Sequence, residues 1–316
     1  MTTCSIVIRT LNEEQHLGRL LSGIEQQHTQ PDEVIIVDSG SDDSTLSIAR
    51  AFGAKILHIA RSEFSFGRAL NLGFAAVQSD VGVAMSGHVY PVNRSYLSTL
   101  LRPFRDSNVG VAYGRQVGDK SSYYSEKRLM LQWFPPHGSG RQLTPFSNNA
   151  NSATRVDIWR QLRFGEELTG LEDVEFCYRL MAMGKHIHYV AEAPVVHVHR
   201  EPWNVIRNRY FREARTLVQI DPSQRLRAPS AFGLMAANVI SDSLQAVRER
   251  VGPSDFTSIF KFRSAQFVGS WRGSNNLSAM APDLKTHLYF PTLRHDSHSD
   301  ASDETAIDYG EDSQDG

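Results

Sequence analysis

The chain has 316 residues, 41% hydrophobic and 22% charged, with a formal net charge of -2. That is room for one large α/β domain or two smaller ones, in an ordinary globular composition. Two cysteines, Cys4 and Cys177, exclude a disulfide framework and a cysteine zinc site, and suit a reducing, cytoplasmic setting. Residues 296–316 hold eight acidic residues and no Lys or Arg, so the preceding chain carries +6. A mildly basic body suits a phosphate-bearing ligand or an anionic membrane surface and demands neither. The first residues lack the basic and apolar regions of a signal peptide. The longest mostly apolar run, 231–240, is far short of the ~20 residues a membrane span needs. There are no internal repeats.

In chain order, Ser5-Ile6-Val7-Ile8 predicts a buried strand. A helix follows over 16–27, with Leu17, Leu20, Leu21 and Ile24 on one face. Pro31-Asp32 breaks the chain before a second strand, Glu33 to Asp38. The turn Ser39-Gly40-Ser41-Asp42-Asp43-Ser44 leads to a helix over 45–52. A third strand at 55–59, a helix at 67–77 and a fourth strand at 81–85 complete the first half. Alternating strands and helices with short links predict a parallel sheet covered on both faces.

Ligands of such sheets bind outside the carboxyl ends of the strands. This selects the loops 9–13, 38–44 and 86–91. Asp38 ends an apolar strand, where it can accept from a base N–H or ribose hydroxyl, or simply anchor an Asx turn. Arg68 and Asn71 share a helix face that could hold phosphate or ribose, or lie in solvent. No G-x-G-x-x-G or Walker A loop follows the first strand, which disfavours an NAD enzyme or a P-loop nucleotidase.

In the second half, 110–116 predicts a strand and 120–133 a polar stretch turning helical. Residues 137–146 read as a mobile loop. Asn148, Asn149 and Asn151 precede a helix at 156–161, where one of them would serve as N-cap. Glu172-Asp173 stands at a helix start, followed by Val174, Cys177, Tyr178 and Met181 at helical spacing. The dipole and free N–H groups there favour ionised carboxylates. The pair is either a simple cap or a general base for a hydroxyl. His197 and His199, two apart in an extended segment, point the same way and can converge on a metal or phosphate. A helix over 203–220 carries Arg207, Arg209, Arg212 and Arg215, for anionic phosphates or as a solvated basic face. Helices at 231–251 and 254–271 follow. The second, with Phe256, Ile259, Phe260, Phe267, Val268 and Trp271, either touches a membrane, oligomerises or packs on the main domain. From Arg294 the acidic tail cannot bury a core and should be disordered.

Together these stretches resemble a known family. Ser5-Ile6-Val7-Ile8-Arg9-Thr10-Leu11-Asn12-Glu13, Ile35-Ile36-Val37-Asp38-Ser39-Gly40-Ser41-Asp42-Asp43-Ser44-Thr45 and Arg68-Ala69-Leu70-Asn71-Leu72-Gly73 resemble family 2 inverting glycosyltransferases of the GT-A fold. Phe146-Ser147-Asn148-Asn149-Ala150-Asn151, Glu172-Asp173 with Gly184, and Ala193-Pro194-Val195-Val196-His197-Val198-His199 are similar to its bacterial rhamnosyltransferase-like branch. The resemblance covers about residues 4–215. It implies an α/β, Rossmann-like, mostly parallel sheet flanked by helices over 1–220, with the nucleotide-binding half at about 1–91 and the acceptor half at 92–220. A helical C-terminal extension at 221–293 and the disordered tail at 294–316 complete the expected layout.

The nucleotide site it implies comprises Arg9, Thr10, Asn12, Glu13, Asp38, Ser41, Arg68 and Asn71, binding a UDP- or dTDP-sugar. Asp173, beside Glu172, would be the base that activates an acceptor hydroxyl of a saccharide or lipid-linked saccharide, with peripheral membrane contact and no nucleic acid partner. The family's Asp-x-Asp metal motif is replaced here by Ser86-Gly87-His88. Three readings follow: His88 binds a divalent cation, Mn²⁺ or Mg²⁺, with His197 or His199; it bonds to the phosphate or acceptor directly; or donor activity is lost. A non-catalytic sugar-nucleotide-binding protein and a sugar nucleotidyltransferase are the competing classes.

Overall fold

The computed structural model describes residues 2–276. The expected tail and the last part of the extension lie outside the described residues. Among the described residues nine strands form one sheet, in the order β3-β2-β1-β4-β8-β6-β9-β5, with β7 also paired to β9. The strands are β1 (Cys4–Thr10), β2 (Glu33–Asp38), β3 (Lys55–His58), β4 (Val81–Ser86), β5 (Val89–Pro91), β6 (Val109–Gly118), β7 (Gly140–Gln142), β8 (Asn151–Arg155) and β9 (His186–His197).

The parallel half is β3, β2, β1 and β4. Its connections are the helices α1 (Leu17–Glu25), α2 (Thr45–Ala51) and α3 (Phe66–Ala76). Alternation along each strand feeds two cores. Ile6 and Ile8 of β1 join Val81, Val83 and Met85 of β4 on one face. Val7, Ile35 and Ala84 join Phe74 and Trp159 on the other. Gly73 lets α3 approach the sheet, because a Cβ there would strike Val7 and Val37.

Beyond β4 the sheet is mixed. β8 runs antiparallel to both β4 and β6, β6 and β9 are parallel, and β5 and β7 pair antiparallel with the outer edge of β9. The remaining helices are α4 (Tyr96–Leu101), α5 (Tyr124–Trp133), α6 (Val156–Leu162), α7 (Glu172–Ala182), α8 (Trp203–Ile220), α9 (Ala228–Arg248) and α10 (Pro253–Asn275). The α10 helix lies along α8, where Gly269 and Gly273 admit the Arg207 and Phe211 carbonyls. Ile206 and Phe262 pack there with Tyr123 and Trp203. A buried ion pair adds a tie: Asp242 of α9 accepts from Arg263 of α10 at 2.8 Å and from Ser125 of α5 at 2.7 Å.

Three local expectations change. Part of the stretch 137–146 is paired, because β9 is long enough to lend its outer edge to β7 (Gly140–Gln142), and Ser139 donates to Glu192 at 2.6 Å. No asparagine caps α6; Arg155 occupies that place without a side-chain bond. Asn151 instead sits in β8, linking Tyr96, Arg115 and Ala193. The arginines of α8 do not form a solvated face: Arg215 is buried and Arg209 is ion-paired, leaving Arg207 exposed.

Candidate functional site

Strand order reverses at β1: the chain moves outward to β2 and β3, then returns to place β4 on the other side of β1. A crevice opens there at the carboxyl ends. Its walls are the three loops expected from the sequence, and they are bonded to one another. Asn12 donates its backbone N–H to Ser41 Oγ at 2.9 Å and its amide to Asp42 at 2.8 Å. Glu13 N–H donates to Thr45 at 2.7 Å. Asn12 takes the left-handed conformation (φ 55°) that asparagine tolerates. Gly87 leaves space for the Glu13 side chain, which a Cβ would strike.

Asp38 is fully buried at the end of β2. One oxygen accepts from Thr10 Oγ1 at 3.1 Å and Ser41 Oγ at 2.5 Å, the other from the Gly40 and Ser41 N–H groups at 2.9 and 3.0 Å. The structure thus gives Asp38 the turn-anchoring role. A base contact would require one of these hydroxyls to yield.

Beside this wall lies a cluster of three histidines. β5 pairs with β9 so that Val89 faces His197, and Val198 N–H bonds the His88 carbonyl at 3.1 Å. That register stacks the His88 ring on His197, with centroids 5.1 Å apart, and places His199 5.7 Å from His88. One nitrogen from each of the three lies within 4.8 Å of the others. Every Nδ1 is held: His88 by Glu13 at 2.7 Å, His197 by Gln116 Oε1 at 2.6 Å, and His199 by Glu126 at 2.9 Å. Of the Nε2 atoms, that of His197 is buried without a partner, while that of His88 lies 3.2 Å from Ser86 Oγ. Holding the distal nitrogen of a ligating imidazole is how proteins orient metal ligands.

Electrostatics differ within the cluster. Burial, then His199 and His88, push the His197 pKa well below the usual 6.5, so it is a neutral donor at pH 7. Burial opposes charge on His88 as well, but Glu13 and then Glu201 together outweigh it and raise its pKa. Glu126 is held down to about 2 against its burial by Arg209 and His199. Arg209 bonds Glu126 at 2.6 Å and lies 2.9 Å from Glu201.

The carboxyl pair opens α7. Leu171 adopts a left-handed conformation (φ 53°) that turns the chain into the helix. Asp173 accepts from Asn149 N–H at 3.0 Å and Val174 N–H at 2.8 Å. Glu172 accepts from Arg9 and from the Asn149 amide, both at 3.3 Å. The helix start does not keep Asp173 ionised as expected. Burial, and next the Glu172 charge, push its pKa up from 3.8 to about 7, despite two N–H bonds and Arg9. Such a carboxyl can take a proton near neutral pH. Arg9 joins the two parts of the site, since its charge acts on both Asp173 and His88. Its guanidinium stacks on Phe66, 4.8 Å from the centroid, and Arg212 on the same ring at 5.3 Å.

The structure therefore brings Arg9, Glu13, His88, His199, Glu172 and Asp173 to one crevice rim, with Thr10, Asn12, Asp38 and Ser41 forming its wall. Asn71 is a correction. Its amide donates to the Phe164 carbonyl and Glu166, and its oxygen accepts from Trp159 Nε1 and Phe164 N–H, all at 2.9–3.0 Å. With every polar position used, it is a structural tie between α3 and α6, not a nucleotide ligand. Arg68 pairs with Glu166 at 3.0 Å but remains half-exposed. Gln116 and Glu126 as imidazole holders, and Glu13 as the partner of His88, had no sequence signal beyond their polarity. Their roles follow from the pairing of β6 with β9 and from the docking of α5.

Comparison with known proteins matches residues 5–163 to the model of the family described as glycosyl transferase family 2. The chain is 30% identical over 224 residues to the O-antigen chain rhamnosyltransferase WbaN of Salmonella anatum, covering 67% of this chain and 71% of that protein. It is 26% identical over 220 residues to the O-antigen chain rhamnosyltransferase RfbN of Salmonella typhimurium, covering 66% and 70%. Among solved structures, a mannosyltransferase from Pyrobaculum calidifontis in complex with GDP-Man and Mn²⁺ superposes with a TM-score of 0.59 at 16% identity, covering 86% and 87%. At that identity the likeness shows the shared GT-A fold.

Proposed function

The chain belongs to glycosyl transferase family 2, and we propose that it transfers a sugar of the rhamnose type from a dTDP- or UDP-sugar to a hydroxyl of a saccharide or lipid-linked saccharide in surface polysaccharide assembly. The Salmonella relatives support the sugar and the setting. The observation that carries the chemistry is a buried carboxyl with a pKa near 7, beside an arginine and a histidine cluster on one crevice rim.

In this reading the base and sugar of the donor lie over the Thr10–Asp38–Ser41 wall. The diphosphate faces Arg9 and His88. Ionised Asp173 accepts the proton of the acceptor hydroxyl. The oxygen bonds to the anomeric carbon as the bond to the diphosphate breaks, and the sugar inverts. Glu172, held by Arg9 and Asn149, keeps Asp173 basic through its charge. Arg9 offsets negative charge growing on the leaving group.

The three imidazoles fit a divalent cation: one nitrogen of each lies within 4.8 Å of the others, and the buried His197 Nε2 has no partner. His88, His197 and His199 would hold it, and such a donor set suits Mn²⁺ better than the oxygen-seeking Mg²⁺. When bound, the ion would neutralise charge on the leaving diphosphate. The raised pKa of His88 supports a second reading, in which its imidazolium bonds the phosphate directly.

Calorimetric titration with dTDP and UDP, each with Mn²⁺ and with EDTA, tests the site. Metal-dependent binding lost in His197→Ala is the expected result. Metal-independent binding would favour the imidazolium. No binding of either nucleotide would overturn the donor-site assignment.

A further inference from the structure

The three C-terminal helices are unequally buried. α10, for which the sequence leaves membrane contact, oligomerisation or packing open, is packed along α8 and α9, with Ile259, Phe262 and Ala265 inside. α9 does the opposite. It buries only Ala231, Asp242 and Ala246, which fall on one side of its 21 residues. Across the other side run Phe232, Ala236, Ile240, Leu244 and Val247. The four large ones are 56–63% exposed. At about 100° per residue they share one continuous face. Asp242 is the one charged residue between positions 228 and 247, and it is turned inward. An uncovered apolar face on a helix about 31 Å long is not what a solvent-facing helix carries.

Charge decides what covers it. Arg225 and Arg227 precede α9, and Arg248 and Arg250 end it, all exposed. Glu249 lies among them, but its carboxylate accepts from Tyr124 at 2.9 Å and Gln245 at 2.7 Å. Pairing α9 with its own copy about a two-fold axis would oppose arginine ends whichever way the helices ran. An antiparallel pair sets Arg227 against Arg248; a parallel pair sets each arginine against itself. An anionic surface meets both ends favourably. We propose that α9 lies flat on an anionic lipid surface, its apolar face in the headgroup boundary and its terminal arginines on lipid phosphates.

Cosedimentation of the full-length protein with vesicles tests this without any transfer assay. Vesicles of phosphatidylcholine mixed with phosphatidylglycerol should pellet the protein, and phosphatidylcholine alone should not. Arg227→Gln with Arg248→Gln should weaken binding about 25-fold, at about fivefold per arginine near a charged surface. Ile240→Ser with Leu244→Ser should also lose binding, with an unchanged circular dichroism spectrum, since both side chains already face outward. Equal binding to neutral vesicles, or binding unaffected by either double variant, would overturn the proposal. Absence of binding would also overturn it. Light scattering would then hand the face to a second copy if the serine variant halved the particle mass, and to another part of this chain if it did not.

Discussion

Replacing Glu172 with glutamine should shift the acidic limb of sugar transfer to lower pH. In the wild type, Asp173 must be ionised to act as a base, so activity should fall as pH drops through about 7. Raising this carboxyl from 3.8 to about 7 corresponds to about 4 kcal/mol against ionisation. Two causes raise it, burial first and the Glu172 charge second. The substitution removes the second and leaves burial. It also keeps an oxygen to accept from Arg9 and Asn149 at the positions now 3.3 Å apart. Loss of the smaller cause should lower the limb by about one pH unit, or about tenfold more of the maximal rate retained at pH 5. The limb belongs to the pair rather than to either residue, so the assay is a full profile of kcat/KM against pH for both proteins. A wild-type limb near 4, or a variant limb unmoved or higher, would refute the electrostatic reading. The same shift affects stability with the opposite sense to an ordinary ion-paired Asp. The folded state holds a proton that the unfolded chain releases near 3.8, so this contribution to stability is present below that pH and is lost as pH rises through about 7.

Asn71→Ala should leave nucleotide affinity within about twofold yet destabilise the protein by about 2–4 kcal/mol, since it strands the Trp159 indole N–H and the Phe164 backbone; denaturant titration with nucleotide calorimetry reads both. Asp242→Ala should cost about 3–5 kcal/mol, because Arg263 stays buried without its partner. Urea unfolding followed by circular dichroism measures that loss, and a cost below about 1 kcal/mol would mean the pair does not hold α9 to α10.

The parallel half of the fold was legible because its code is local. Apolar runs ending at Ile8, Val37 and Met85, with helical periods between them, define buried strands and crossovers without long-range information. The strand-end rule then pointed to Arg9, Asp38 and His88 before any site was visible. Register between distant strands was not legible. Nothing near His88 indicates that β5 will set it against His197, or that β6 will bring Gln116 behind that ring. The ionisation state of Asp173 is not legible for a related reason. Its helix-start position is local, whereas the burial and neighbouring charge that outweigh it come from packing of α7 against the 149–151 segment. The helix face of Asn71 leaves a ligand or solvent role open, yet that face meets Phe164 and Trp159, more than eighty residues away in the chain.

Asp173 is the proposed base. The most direct measurement compares wild type with Asp173→Asn for dTDP and UDP affinity and for sugar transfer on the same preparations. Nucleotide binding should be nearly unchanged, and transfer should fall by at least about a hundredfold. Transfer persisting near the wild-type rate would contradict it and move the role to Glu172 or another group.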